Sequence, residues 1–384
     1  MFEAQSMQMR IIPPVKPYFQ KEDIEDIKNS IEEILLSGML TLHEYTRKFE
    51  NEFAKIHKVK YAIAVSSGTA ALEIALRCLK LQEGDEVLIP TNTFTATAAA
   101  VIFAGGRPVF TDINPKTLCL DAENVQNKIT SKTKGIIAVH IGGLVCPDIK
   151  KIREICEDHK LFLIEDAAHA HGSTIDGEPA GSLGDVGAFS FYPTKVITTA
   201  EGGIITTDDD DINTRARVLR DQGKENFGSN IIIELGYNWR MNEINAAIGI
   251  IQLRRLNEII DKRNAIARVY DREFSKLKAL TPIFTPLNLR NNYYKYVLVA
   301  EDGYDRDVLK EKLKEKGVRC GGEVYWPPLH LQPLYQRLLS TKKGDYPIAE
   351  DICRRMICPP IYPDMSIEDA EYVVAKFKEA LAEV

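Results

Sequence analysis

Over about the first 270 positions, short apolar runs alternate with stretches whose apolar residues recur at the helical period. The runs at 61–65, 87–90, 108–113, 135–140 and 161–164 are dominated by apolar residues instead of alternating with polar ones. Strands of that kind belong to a parallel sheet covered on both faces. Between them, 69–80, 96–104, 121–129 and 148–159 carry helical spacing. Gly84-Asp85 and Gly105-Gly106 end the first two, and Asp121 and Asp148 stand where helices open. Two further strands are expected at 187–191 and 202–207. From 242 to about 277 the pattern stays helical with no glycine or proline after Gly249, which predicts one long helix leading out of the first unit. Beyond it come a strand at 293–300, a charged amphipathic helix at 305–316 and a final helix at 367–381. The expected architecture is a large α/β domain with a mostly parallel, doubly wound sheet over 1–256, N-terminal segment included, and a smaller α+β domain over 257–384.

Composition narrows the class. With 384 residues, 45% hydrophobic and 27% charged, the chain has the balance of an ordinary globular protein, which excludes an intrinsically disordered chain, a collagen or a long coiled coil. Its net charge of −6 gives no electrostatic reason to expect nucleic acid. The cysteines are odd in number and scattered, with no CxxC, so free thiols in a reducing, cytoplasmic compartment are expected. The opening MFEAQSMQMRIIPPVK has no apolar core of a signal peptide. The uncharged stretch 87–106 contains Pro90, Asn92 and several threonines, which suits a buried strand, loop and helix better than a membrane span.

Ligands of open α/β sheets sit at the carboxyl ends of strands, and four features fall there. Ser66-Ser67-Gly68-Thr69 joins a strand to a helix, where hydroxyls and free amides make either an anion site or a plain helix cap. The strand 161–164 runs into Glu165 and Asp166, followed by His169 and His171. A carboxylate buried there is a structural acid or the partner of a cation such as a protonated pyridine nitrogen. Phe189-Ser190-Phe191-Tyr192-Pro193-Thr194-Lys195 puts a lysine after an apolar strand in a loop rich in hydroxyls and glycine. Desolvation there makes a usable amine nucleophile. Finally, Asn238 and Arg240 precede the long helix. Pyridoxal phosphate requires a lysine, a carboxylate at its ring nitrogen, an aromatic against its ring and a phosphate cradle. Lys195, Asp166, Phe94 and the Ser67–Thr69 loop with Ser190 supply them.

In order and spacing, SSGTAAL (66–72), GDEVLIPTNTFTATA (84–98), IEDAAHAHG (164–172), FSFYPTKVITTAEGG (189–203) and YNWRMNEINAAIG (237–249) resemble the DegT/DnrJ/StrS family of sugar-nucleotide aminotransferases. The resemblance runs from about Pro17 to the C-terminal helix. It implies the pyridoxal-phosphate transferase fold of type I, with a seven-stranded sheet. It also implies Lys195 as the Schiff-base lysine and proton shuttle, Asp166 at the ring nitrogen and His169 near the phenolic oxygen. By the same token Phe94 stacks on the ring, Gly68, Thr69 and Ser190 hold phosphate, and Asn238 reaches the phosphate of a neighbouring subunit in a homodimer with shared sites. The donor is then L-glutamate and the acceptor a nucleotide-linked keto-sugar.

Lys195 sets the chain apart from the branch that carries histidine there and dehydrates sugars. The chain departs from the family pattern on the side expected to face sugar. His43 stands near a usual glycine, Tyr325-Trp326 stands before Pro327 where His-Tyr is common, and Tyr294 replaces a histidine. Tyr294, Tyr325, Trp326 and His330 are therefore candidate substrate residues. The opening segment and SGMLT lean toward amination at C4. Two other readings are a non-catalytic pyridoxal-phosphate-binding regulator on the same fold, and a metal-dependent hydrolase built on Asp166, His169 and His171 with His140 nearby.

Overall fold

Apolar runs that can expose neither face assemble into a seven-stranded sheet in the computed structural model, which describes residues 10–384. The first nine residues, part of the segment expected to lack a signal peptide, lie outside the described residues. In chain order come α1 (Lys21–Ser37), α2 (Glu44–His57), β1 (Tyr61–Val65), α3 (Gly68–Cys78), β2 (Glu86–Pro90), α4 (Thr95–Phe103) and β3 (Arg107–Thr111). Then follow α5 (Ala122–Lys128), β4 (Thr133–Val139), α6 (Ile149–His159), β5 (Phe162–Asp166), the short β6 (Thr174–Ile175) and β7 (Glu178–Pro179), β8 (Val186–Ser190) and β9 (Gly203–Thr207).

The sheet order is β1-β9-β8-β5-β4-β2-β3. Every pairing is parallel except those of β9, which runs antiparallel to both β1 and β8. A mostly parallel sheet was expected, and its strands are buried almost throughout. Local chemistry sets the helix starts. Asp121 accepts the Glu123 and Asn124 amides ahead of α5. Asp148 instead turns to the Ala122 amide and the Lys151 ammonium.

After α7 (Asp210–Arg220) comes the long helix α8 (Glu243–Phe274). Its Leu256, Ile259 and Ile260 belong to the apolar core under the sheet, and Ile266, Tyr270 and Phe274 to a second core. Position 256 thus falls inside a continuous helix. Ile12 packs in the second core and bridges to Val318. The rest comprises β10 (Leu280–Pro282), β11 (Leu289–Arg290), β12 (Leu298–Ala300), α9 (Arg306–Glu315), α10 (Pro333–Leu339), α11 (Pro347–Arg355), β13 (Met356–Ile357) and α12 (Ile367–Leu381). The strand expected at 293–300 shrinks to β12. The amides of Tyr293, Tyr294 and Lys295 go to the Asn291 and Asn292 side chains and to the Gly142 carbonyl, so no ladder forms there.

Candidate active site

The carboxyl ends of β1, β5 and β8 converge on a cavity of about 410 Å³. On one wall, Ser67 caps α3 by accepting the Ala70 amide at 3.1 Å, and Gly68 and Thr69, whose amides open the helix, line the cavity beside it. Gly68 lets this turn lie against β8: a Cβ there would stand 2.7 Å from the Ser190 Cβ. On the floor, Asp166 is buried. Its Oδ2 accepts from the Thr97 hydroxyl at 2.7 Å and its Oδ1 from the Ala168 amide at 3.2 Å. Thr97 is shared with Thr93 at 2.7 Å, so the hydroxyl that serves Asp166 is itself held in place. The loop between β8 and β9 brings Lys195, whose Nζ lies 4.9 Å from the centroid of the Tyr294 ring.

Burial pushes the Lys195 ammonium down to about 8; Asp166 opposes the shift and Lys295 adds to it. Burial also raises the Asp166 carboxyl, against the hydrogen bonds from Thr97 and Ala168 and the charge of Lys195. His169 is held well below its usual value by burial, with Lys195 and Lys295 adding to the effect. Its Nδ1 accepts the Gly142 amide at 3.3 Å, so the neutral ring carries its proton on Nε2, which donates to the Tyr325 hydroxyl at 3.0 Å. Tyr294 stacks on the His169 ring at 4.3 Å between centroids.

Ser67, Gly68, Thr69, Phe94, Asp166, His169, Ser190, Lys195, Tyr294 and Tyr325 all line this one cavity. Trp326 lines an adjoining one that shares Thr93, Phe94 and Tyr325. Two of the expected residues lie elsewhere. Asn238 is exposed and pairs with Asp221. His330 is fully buried between the Thr91 hydroxyl at 2.6 Å and Glu350 at 2.9 Å, a structural position away from the cavity.

Of the residues of the metal reading, Asp166 and His169 line the cavity, while His171 and His140 lie outside it. His171 is buried against Phe189 and Phe191, and His140 donates its Nε2 proton to Glu165 at 2.8 Å. Among the described residues no group of three His, Cys, Asp or Glu is placed to hold a metal ion. Thr97, Tyr192, Thr194 and Glu201 were not picked out from sequence as site residues. For Thr97 the available signal was a pair of threonines four apart, Thr93 and Thr97, at the start of a helix.

Residues 21–378 match the pattern described as the DegT/DnrJ/EryC1/StrS aminotransferase family. The chain belongs to this family. It is 35% identical to the spore coat polysaccharide biosynthesis protein SpsC of Bacillus subtilis, with 96% of each chain covered. It is 34% identical to a GDP-perosamine synthase of Escherichia coli O157:H7, covering 97% of this chain and 99% of that one. Among solved structures it superposes on Spr1654 of Streptococcus pneumoniae in its PLP form with a TM-score of 0.90, at 28% identity, covering 97% of this chain and 99% of that one.

Aminotransferases of this family depend on pyridoxal phosphate, and the cavity fits that group. The turn at Gly68 and Ser190 would be filled by a single added methyl. A carboxylate with few partners faces the same space as a lysine of lowered pKa. Ser67, Gly68, Thr69 and Ser190 would hold the phosphate, Asp166 the ring nitrogen and Lys195 the aldehyde carbon. Among the described residues, no helix is long and apolar enough to cross a membrane.

Proposed function

We propose that this aminotransferase moves an amino group from L-glutamate to a keto carbon, C4 or C3, of a nucleotide-linked keto-deoxy sugar in the cytoplasm. The observation that carries the reading is that Lys195, its ammonium pushed down to about 8 by burial, and the buried Asp166 line one cavity. The acceptor class is supported by the likeness to a GDP-perosamine synthase and to a spore coat polysaccharide biosynthesis protein. Pyridoxal phosphate, when bound, supplies an electron sink for the carbanion formed at the substrate carbon. The amides opening α3 and the Ser190 hydroxyl bind and orient the phosphate. Asp166 then keeps a proton on the ring nitrogen, and Nζ of Lys195 takes the substrate's proton and returns it. Because burial lowers its pKa to about 8, that amine can lose its proton near neutral pH. Tyr294, Tyr325 and Trp326 form the wall nearest the sugar. The exposed Asn238 suits the role implied by the family resemblance, reaching the phosphate of a second copy, so the working form is a homodimer with shared sites.

The test is the visible absorption of the protein reconstituted with pyridoxal phosphate, before and after L-glutamate. A band that bleaches, then returns with one of a panel of nucleotide-linked keto-sugars, is the expected result. A band indifferent to glutamate would move the reading to another donor or to a non-catalytic role. No band at all would overturn it.

A further inference from the structure

Asn292 is fully buried, and its side-chain amide is committed at both ends. Nδ2 donates to the carbonyls of His169 at 2.8 Å and His171 at 3.0 Å, while Oδ1 accepts the Tyr294 amide at 2.8 Å. Its backbone amide donates to the Ser173 hydroxyl at 3.1 Å, which in turn donates to the Gly143 carbonyl at 2.7 Å. One residue therefore joins the turn after β5, the loop after β4 and the segment that carries Tyr294. The fit leaves no room for a side chain opposite: a Cβ on Gly143 would stand 2.0 Å from Asn292 Oδ1, and Gly143 has a φ of +99°. The same loop delivers the Gly142 amide to His169 Nδ1, which fixes the tautomer of that ring.

We propose that Asn292 is a positioning residue for transamination. It sets the Tyr294 ring against His169, and that stack forms the wall that the Lys195 amine faces at 4.9 Å. The proposal rests on the aminotransferase reading above for its link to turnover. Its geometry can be read without turnover, through the pH at which the visible band of the bound cofactor titrates. None of the hydrogen bonds of Asn292 goes to Ser67, Gly68, Thr69 or Ser190, so cofactor affinity should stay as in the wild type.

The variants are Asn292→Ala and Asn292→Asp, each loaded with pyridoxal phosphate. Asn292→Asp keeps the shape and the acceptor for the Tyr294 amide, but turns an oxygen toward two carbonyls. For Asn292→Ala, the band's midpoint should shift by about half a pH unit or more. The single-turnover rate with L-glutamate should fall about tenfold to a hundredfold, the scale of a slight misplacement of reacting groups. In Asn292→Asp the deficit should shrink as pH falls, because the protonated acid regains a donor for one carbonyl. A merely structural residue would lower the melting temperature and leave the midpoint and rate of the folded, loaded protein unchanged, and that result would overturn the proposal. If Asn292→Ala does not fold, Tyr294→Leu combined with Asn292→Asp decides: effects that add fully rule out action through Tyr294, and effects that fail to add support it. Loss of the glutamate response in the wild type itself would sink the aminotransferase reading, while the midpoint shift would still judge Asn292.

Discussion

Glu165 and Asp166 are neighbours on one strand, yet the two faces of the sheet treat them in opposite ways. Glu165 is fully buried and surrounded by donors: the amides of Gly181, Leu183 and Gly184 at 2.6–2.8 Å, and His140. Burial alone would raise its carboxyl, but His140 and those amides outweigh it and hold it below its ordinary value. Asp166 has one hydroxyl and one amide, and burial wins, so its carboxyl is raised. The first acid is satisfied by the protein and pins the 181–184 loop under the sheet. The second is left short of partners where the cavity opens. Equal burial thus makes one carboxylate architectural and the other available, and the number of donors decides which.

The sharpest way to break this comparison is to remove the amine opposite Asp166. Lys195→Ala should abolish transamination while circular dichroism and melting stay close to the wild type; retained full turnover would remove Lys195 from the chemistry. Next, Asp166→Asn should cost about 10²- to 10³-fold in turnover, the scale of losing a preorganised electrostatic group, without unfolding the protein. The two acids also give opposite stability profiles in the cofactor-free protein. A raised folded pKa means that the stability Asp166 contributes is present below the ordinary carboxylate value and lost as pH rises through the folded value. A lowered one means that Glu165 contributes above the ordinary value and loses it as pH falls. Denaturant melts from pH 3 to pH 8 should therefore show Asp166→Asn gaining on the wild type as pH rises. Glu165→Gln should be destabilised at neutral pH by about 3–5 kcal/mol, as when one partner of a buried pair is removed, and should close the gap in acid.

Two smaller effects refine the same picture. Thr97→Val removes the donor to Asp166 Oδ2 and should raise that carboxyl further. A loss of about tenfold in kcat/KM would match a single buried hydrogen bond to a charged group, and unchanged kinetics would make Thr93 and Thr97 packing residues only. With its pKa near 8, the Lys195 amine should capture pyridoxal phosphate faster as pH rises, levelling off above about pH 8. Stopped-flow reconstitution between pH 6 and pH 9.5 would follow this directly, and a flat profile would contradict the burial of that amine.

The frame of the site was legible because it depends on short-range patterns. Apolar runs marked the strands, the residues ending them marked the cavity, and Asp166 and Lys195 stood at those ends. What escaped depends on contacts between distant segments. Thr97 meets Asp166 across 69 positions and Asn292 meets His169 across 123, and neither separation leaves a periodic trace. His330 is a candidate because its segment resembles one that faces sugar in the family, but Thr91 and Glu350 close on both ring nitrogens. The shortened strand at 293–300 failed where side-chain amides took backbone donors that a ladder would have used.

The antiparallel course of β9 has a consequence for how this chain can vary. A parallel crossover would have carried the chain away from the site and returned it through a helix, and a helix can absorb an inserted residue by sliding. Here Ser190 pairs with Gly203, and the Phe191 amide donates to the Gly202 carbonyl at 2.9 Å, so the loop holding Lys195 leaves and re-enters at one point, at the paired ends of two interior strands. It behaves as a closed clasp of fixed circumference. A residue added to it or lost from it would bear on the position of the lysine, so the length of this loop should tolerate change less well than its residues other than Lys195.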